Sequence, residues 1–254
     1  MVNPTNRSLT GVSGNRSNVL ALIPALNEAD SIGPIIEEVA ARLPTLVIDD
    51  GSVDGTSELA RSAGAEVIRH PQNLGKGAAL RTGFAWAMQR GFRAVLTLDA
   101  DGQHDPQDMG KLLAAADDRR GSLVIGERTF SEMPWPRWWC APLGAWLLSR
   151  ALGKRMTDNQ SGFRLIPRSF MESMRPSVDG YEMEVEMIGE AVRLGTPIVW
   201  VPIRTIYPER RKAGFRPLLD TLRFLRMVGL LWRRRRRWER SGPPVRRTAT
   251  SDEG

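Results

Sequence analysis

From Val19 to Ile125, short apolar runs alternate with segments of helical period. Val19–Ile23, Thr45–Ile48, Glu66–Ile68, Ala94–Leu98 and Leu123–Ile125 read as strands. Ser31–Arg42, Thr56–Ser62, Gly77–Gln89 and Pro106–Ala116 read as the helices between them. This rhythm predicts an α/β fold, a mostly parallel central sheet with helices on both faces. No internal repeat and no heptad array interrupts it. Residues 1–17 and 241–254 are polar and are expected to be disordered. The pattern predicts one domain over 18–214 and an amphipathic basic helical tail over 215–240.

Charge changes the picture of the tail. Arg204 to Arg247 holds 15 Lys/Arg against 3 Asp/Glu, a local +12 that leaves −5 for the rest of a chain of net charge +7. A basic tail on a mildly acidic body points to a polyanion, a membrane surface or nucleic acid. No nucleic-acid module accompanies the arginines, which disfavours the second. Trp138, Trp139 and Trp146 share a short helical pattern with Leu143 and Leu147, between Arg137 and Arg150. Leu218, Leu222, Leu225 and Gly229 form a stripe ahead of the run Arg233 to Arg237 and Trp238. Both patterns suit an anionic lipid surface, and both equally suit helices packed on the protein's own core. No stretch is long and apolar enough to span a bilayer, and the first 18 residues show no signal-peptide pattern. The single cysteine, Cys140, excludes an internal disulfide and fits a reducing cytoplasm.

The candidate chemistry lies in the loops that end the predicted strands. Pro24-Ala-Leu-Asn-Glu28 follows the first, Asp49-Asp-Gly-Ser-Val-Asp-Gly-Thr56 the second, and Asp99-Ala-Asp-Gly-Gln-His104 the fourth. In an open α/β sheet that edge is where ligands bind. Each loop by itself also reads as turn chemistry. In an extended segment Asp99 and Asp101 point to the same side. With the Gln103 amide oxygen they offer hard donors for Mg2+ or Mn2+, ions that often share their shell with substrate phosphates. His104 reads as a further ligand or as a solvated loop histidine. Lys76, in Asn73-Leu-Gly-Lys-Gly77 before a helix, reads as a phosphate or base contact or as a solvated turn lysine. The loop is not a Walker A motif.

These residues resemble a known family. IPALNE, VIDDGSVDGT, NLGKGAALRTGF and LTLDADGQHDP, in that order and spacing, are similar to the family 2 glycosyltransferases. DNQSGFRLIPR and VPIRTIYPERR resemble the dolichol-phosphate and polyprenyl-phosphate mannosyl- or glucosyltransferases. The resemblance runs from about Asn18 to Val228. It implies a GT-A fold, a GDP- or UDP-sugar donor, inverting transfer and a polyprenyl phosphate acceptor at the cytoplasmic face of a membrane. It implies that Asp50 contacts the nucleobase, with Pro24 and Glu28 in the same pocket and Lys76 on the nucleotide. Asp99 would lie near ribose and metal, with Asp101 and Gln103 on the metal. Arg128 and Arg137 would hold the acceptor phosphate, and Ser161, Gly162 and Arg164 would belong to the acceptor-side segment. Arg210 and Arg211 are further candidate acceptor cations. Two departures stand out: Leu26 replaces an aromatic residue common in the first motif, and the membrane helices of some relatives are absent.

A hydroxyl acceptor needs a general base, whereas a phosphate acceptor is already an anion and needs cations. Asp158, Glu182 and Glu184 are the carboxylates left for a base. Their plainer readings are a loop turn for Asp158 and a solvated helix face for the two glutamates. A soluble transferase acting on a hydroxyl, and a lipid-binding protein with a degenerate transferase domain, therefore stay as alternatives. On the phosphate-acceptor reading, Asp158→Asn and Glu184→Gln should be tolerated far better than Arg128→Ala.

Overall fold

In the computed structural model, the described backbone covers residues 18–128, 137–180, 182–206 and 217–241, with no side-chain description for 137–141, 217–220 and 241. Strands β1 (Val19–Ala25), β2 (Thr45–Asp49), β3 (Glu66–Arg69), β4 (Ala94–Thr97), β5 (Leu123–Arg128), β6 (Arg164–Pro167) and β7 (Ile198–Ile203) form one sheet. Their order is β3-β2-β1-β4-β6-β5-β7. All pairs are parallel except those of β6 with β4 and with β5.

The helices are α1 (Ala29–Ala40), α2 (Thr56–Ser62), α3 (Lys76–Gln89), α4 (Met109–Asp118), α5 (Arg137–Leu152), α6 (Arg168–Ser173), α7 (Glu182–Leu194) and α8 (Pro217–Ser241). Strand side chains alternate between two cores, as the period of two requires. Val19, Ala21 and Ile23 of β1 join α1, α2 and α4 on one face. Leu20 and Leu22 join α3, α5, α6, α7 and α8 on the other. β1, β2 and β4 are covered on both sides, which is why they read as continuous apolar runs rather than alternating ones.

The chain crosses from the β1–β2–β3 side of the sheet to β4, and that reversal opens a crevice at the carboxyl ends of β1 and β4. Because β6 runs antiparallel, its entry segment 157–163 reaches the same edge as the exit loops of its neighbours. Short β6 and β7, with α6 and α7, extend the sheet beyond the strands that periodicity picks out.

The helical tail does not stand apart. α8 packs on α5 and α7, with Met227 and Leu231 buried and Phe224 and Val228 against the same core. That inward face is spaced i, i+3, i+4, i+7. The stripe marked by sequence, Leu222, Leu225 and Gly229, lies on the outward face. The two readings of the tail therefore describe opposite faces of one helix. The arm 1–17 and the end 242–254 lie outside the described residues.

Candidate active site

The loops after β1 and β2 hold each other. Ser52 Oγ accepts from Asn27 N, and Asn27 Oδ1 accepts from Val53 N, at 2.8 and 2.9 Å. Thr56 Oγ1 accepts from Glu28 N at 2.9 Å, and Asp54 Oδ2 accepts from Ala29 N at 3.1 Å. Much of the VIDDGSVDGT motif thus serves the shape of the edge. Asp49 is fully buried, accepts from Ser52 N and from the Ser57 hydroxyl, and faces Arg69 across a 3.7 Å ion pair. Burial works against its charge, but these hydrogen bonds hold the carboxyl below the usual range.

Asp50 is turned toward the loop ahead of α3. Its carboxylate accepts from Leu74 N at 2.9 Å, from Gly75 N at 2.7 Å and from His70 Nδ1 at 2.7 Å. Three of the roughly four acceptor sites on a carboxylate are thereby filled. His70 is fixed in turn by the Thr82 hydroxyl at 3.0 Å from Nε2.

That loop delivers Lys76 into the centre of the site. Gly77 N donates to Asp179 O at 2.7 Å, and a Cβ on Gly77 would meet the Asp179 and Val178 backbone below 3.0 Å. Only glycine permits this approach, which seats the start of α3 under the 177–180 loop. Lys76 Nζ then lies 2.5 Å from Asp99 Oδ1 and 2.6 Å from Glu184 Oε1. Burial alone would depress the ammonium's pKa, but the Asp99 and Glu184 charges raise it far above its ordinary value. The second Asp99 oxygen faces His104 Nε2 at 3.4 Å, and the same carboxylate packs on Gly162, where any Cβ would collide with it. Burial opposes the charge on Asp99, yet Lys76 and His104 hold its carboxyl far below the usual range.

Asp101 is treated differently. Its oxygens accept from Gln103 N at 3.0 Å and Gln103 Nε2 at 2.5 Å. No cationic side chain lies within ion-pair distance of it among the described residues. Burial first, and then the charge of Asp99, push its carboxyl above the usual range. A half-buried carboxylate with no cation at ion-pair distance among the described residues suits a hard cation, with the Gln103 amide oxygen as a second donor. No group of three or more His, Cys, Asp or Glu side chains forms a metal cage among the described residues. Such a pair suits an ion that takes the rest of its shell from phosphate and water.

Further along the same edge, Arg128 ends β5 and is gripped by Asp158. Nε and Nη2 reach the two carboxylate oxygens at 2.7 and 2.9 Å, and Arg128 N adds a third bond at 3.2 Å. Burial raises the Asp158 carboxyl, but the Arg128 fork outweighs it and holds the pKa down.

The sequence profile of glycosyl transferase family 2 matches residues 21–175. The chain belongs to that family. A polyprenol monophosphomannose synthase of Mycolicibacterium smegmatis is 32% identical over 201 residues, 72% of this transferase and 76% of that protein. An undecaprenyl-phosphate mannosyltransferase of Micrococcus luteus is 32% identical over 210 residues, 75% and 84% of the two chains. Among solved structures, mannosyl-3-phosphoglycerate synthase from Rubrobacter xylanophilus superimposes with a TM-score of 0.65 at 26% identity, covering 92% of this transferase and 78% of that chain. Glucosyl-3-phosphoglycerate synthase from Mycobacterium tuberculosis, solved with Mn2+, UDP and glucosyl-3-phosphoglycerate, has a TM-score of 0.62 at 24% identity over 91% and 82%. These neighbours share the GT-A-like fold.

Of the residues marked by sequence, the transferase brings Lys76, Asp99, Asp101 and Gln103 into one cluster, with Arg128 on the same sheet edge. Four of the expectations change. Arg164 is not an acceptor cation: it is fully buried and gives its guanidinium to Ser161 O at 2.7 Å, Glu184 O at 2.6 Å and Asn159 O at 3.4 Å. Its neighbour Ser161 is buried too, with a hydroxyl that has no hydrogen-bond partner among the described residues. Glu184 is not on a solvated face: it lies within the arc of α7 formed by Met183, Met187, Ala191, Ile188 and Val185, all of them buried. That place inside the apolar arc was the signal that could have found it. His104 is not a solvated loop residue: it is buried, its ring lies tilted against that of Phe163 with centroids 5.3 Å apart, and it pairs by backbone with Thr205. Asp50 presents no open carboxylate to a base. Pro24 is half-buried, and Glu28 accepts from the Ser31 hydroxyl at 3.0 Å. The Arg137 side chain, Arg210 and Arg211 lie outside the described residues.

Proposed function

We propose that this transferase moves a sugar, mannose or glucose, from a GDP- or UDP-sugar to a polyprenyl phosphate, aided by Mg2+ or Mn2+. The observation that carries the acceptor class is the state of the candidate bases. Asp158 is committed to Arg128, and Glu184 is committed to Lys76. Glu182, the third candidate, faces Arg223 at 3.8 Å. None of the three is poised to take a proton from a hydroxyl. A phosphate acceptor needs no base, and Arg128, pre-oriented by Asp158, offers the donor fork that would bind and align it. Relatives named as polyprenol monophosphomannose synthase and undecaprenyl-phosphate mannosyltransferase support the same class.

In this reading the nucleoside lies across the loops after β1 and β2, near Pro24 and Glu28. Asp101 and Gln103 would hold the divalent ion. When bound, the ion supplies neutralisation of the diphosphate leaving group. Lys76 adds a positive charge beside it. Asp50 acts through the 73–75 loop rather than by touching the base. Asp50→Ala frees the Leu74 and Gly75 amides, so the donor KM should rise about tenfold with a smaller change in kcat. Unchanged nucleotide affinity by calorimetry would remove Asp50 from the donor site.

The lipid would arrive over α5 and α8. Leu143 and Trp146 of α5 are 57% and 58% exposed, and Leu222, Leu225 and Trp232 of α8 are 64%, 45% and 42% exposed. Arg226, Arg233, Arg236 and Arg237 share that outward side of α8, and Arg236 stacks on Trp232 at 3.9 Å. Arg234 and Arg235 instead pair with Glu186 and Glu239. The run of arginines therefore offers three outward charges, not five. These outward apolar and basic side chains are what support a peripheral seat on the cytoplasmic face of a membrane, the arrangement we favour. Each outward arginine should contribute on the order of 1 kcal/mol to binding anionic vesicles, a contribution that salt weakens. Flotation measures it: equal recovery with neutral and anionic vesicles at low salt would contradict the electrostatic part.

Product analysis tests the function. Incubation with GDP-mannose, UDP-glucose or UDP-N-acetylglucosamine and a mixture of polyprenyl phosphate and 3-phosphoglycerate should yield a polyprenyl-phosphate sugar by mass spectrometry. A glycosyl-phosphoglycerate product instead would overturn the lipid reading.

A further inference from the structure

Lys76 stands where a free divalent cation would otherwise find its richest set of carboxylates. Its ammonium bridges Asp99 and Glu184, and only 13% of the Lys76 side chain and 7% of the Glu184 side chain are exposed. Neither partner is loosely held. The start of α3 is pinned by the Gly77 amide on Asp179 O, and the Glu184 carbonyl is pinned by Arg164 Nη1 at 2.6 Å. Asp99 is thus neutralised by the protein itself, while Asp101, two residues on, is not. A site built to trap metal unaided would leave both carboxylates open. Here one is closed by a lysine that carries its own second seat.

We propose that Lys76 is an internal counter-ion that denies Asp99 to the metal in the donor-free enzyme, and that Glu184 is the positioning residue onto which the ammonium withdraws when donor and metal arrive. The inference rests on the metal reading above. Asp101 and an amide oxygen are too few donors for an ion that takes about six oxygens. The missing ligands come with the diphosphate, so metal and donor enter together. Without Lys76, Asp99 and Asp101 would form a two-carboxylate site able to take the ion alone.

Mn2+ binding to the full chain, followed by the electron paramagnetic resonance of free Mn2+, tests this with and without UDP or GDP. Wild type should bind weakly alone and tightly with nucleotide. Lys76→Met should raise donor-free Mn2+ affinity by at least about tenfold, the scale on which a neighbouring charge biases a carboxylate. Lys76→Met/Glu184→Gln should show the same rise while leaving fewer buried charges unmatched, which guards against a variant that fails to fold. Circular dichroism melts check that it does fold. Glu184→Gln alone should leave donor-free affinity unchanged and weaken Mn2+ binding in the presence of nucleotide. A purely structural network would weaken binding in all three variants. Unchanged or weaker donor-free affinity in both Lys76 variants, with nucleotide-dependent Mn2+ binding intact in wild type, would overturn the proposal. Absence of Mn2+ binding to wild type even with nucleotide would overturn the metal reading itself.

Discussion

Asp101→Asn is expected to lower turnover by about 10³-fold or more, equivalent to roughly 4 kcal/mol of transition-state stabilisation. The size follows from the asymmetry of the two carboxylates. Asp99 is already matched by Lys76, so a cation there would compete with a buried ion pair. Among the described residues, Asp101 has only the amide donors of Gln103, and it is held above the usual carboxylate range by burial and by Asp99. On the proposed metal role, removing its charge would remove the main protein ligand for an ion that offsets the departing diphosphate. The defect should lie in kcat more than in the donor KM, because the charge to be offset grows as the bond to the sugar breaks. Excess chelator should bring wild type to a similar rate. Full activity in chelator, or an Asp101→Asn variant within a few-fold of wild type, would be inconsistent with this role.

Arg128→Ala and Asp158→Asn are expected to be nearly equal in effect, each lowering kcat/KM for polyprenyl phosphate by about 10²-fold. Sequence reasoning leads to a different expectation, tolerance of Asp158→Asn, because a loop aspartate that is not the base appears dispensable on that view. The fork between the two side chains changes the outcome. Asp158 is 1% exposed and fixes both Nε and Nη2 of Arg128. An asparagine there keeps one carbonyl acceptor and loses the charge, so the guanidinium loses its orientation toward the acceptor. The double variant should be no slower than Arg128→Ala alone, the non-additivity expected of groups that act as one unit. Stability separates the pair further. Arg128→Ala leaves a buried carboxylate unmatched and should cost about 3 to 5 kcal/mol, and adding Asp158→Asn should recover part of it. Additive losses in kcat/KM would show that the two residues act independently.

Local pattern revealed the parts of the fold whose causes are local. Apolar runs covered on both faces mark β1, β2 and β4, and the polar loops behind them mark the edge where the site forms. Partnership was not legible in this way. Arg164 and Arg128 are both arginines near the acceptor-side motif, yet one is sealed in the core by backbone carbonyls and the other sits at the edge in a carboxylate's grip. That difference depends on β6 running antiparallel between β4 and β5, a pairing between distant segments with no signature in a four-residue strand. The same limit hid Glu184, whose partner Lys76 lies 108 residues away. In α8, periodicity found an apolar stripe, but only the packing of Met227 and Leu231 shows which face the core takes.

The most direct measurement of the central claim is the ratio of kcat/KM for polyprenyl phosphate to that for the matching polyprenol, with donor, metal and detergent held constant. With Asp158, Glu182 and Glu184 all facing cations, and on the proposal that Arg128 receives the acceptor's phosphate, the phosphate should be preferred by about 10³-fold or more, since the alcohol would lack both the charge for Arg128 and a base to activate it. A ratio near one would contradict the account and make the acceptor a hydroxyl.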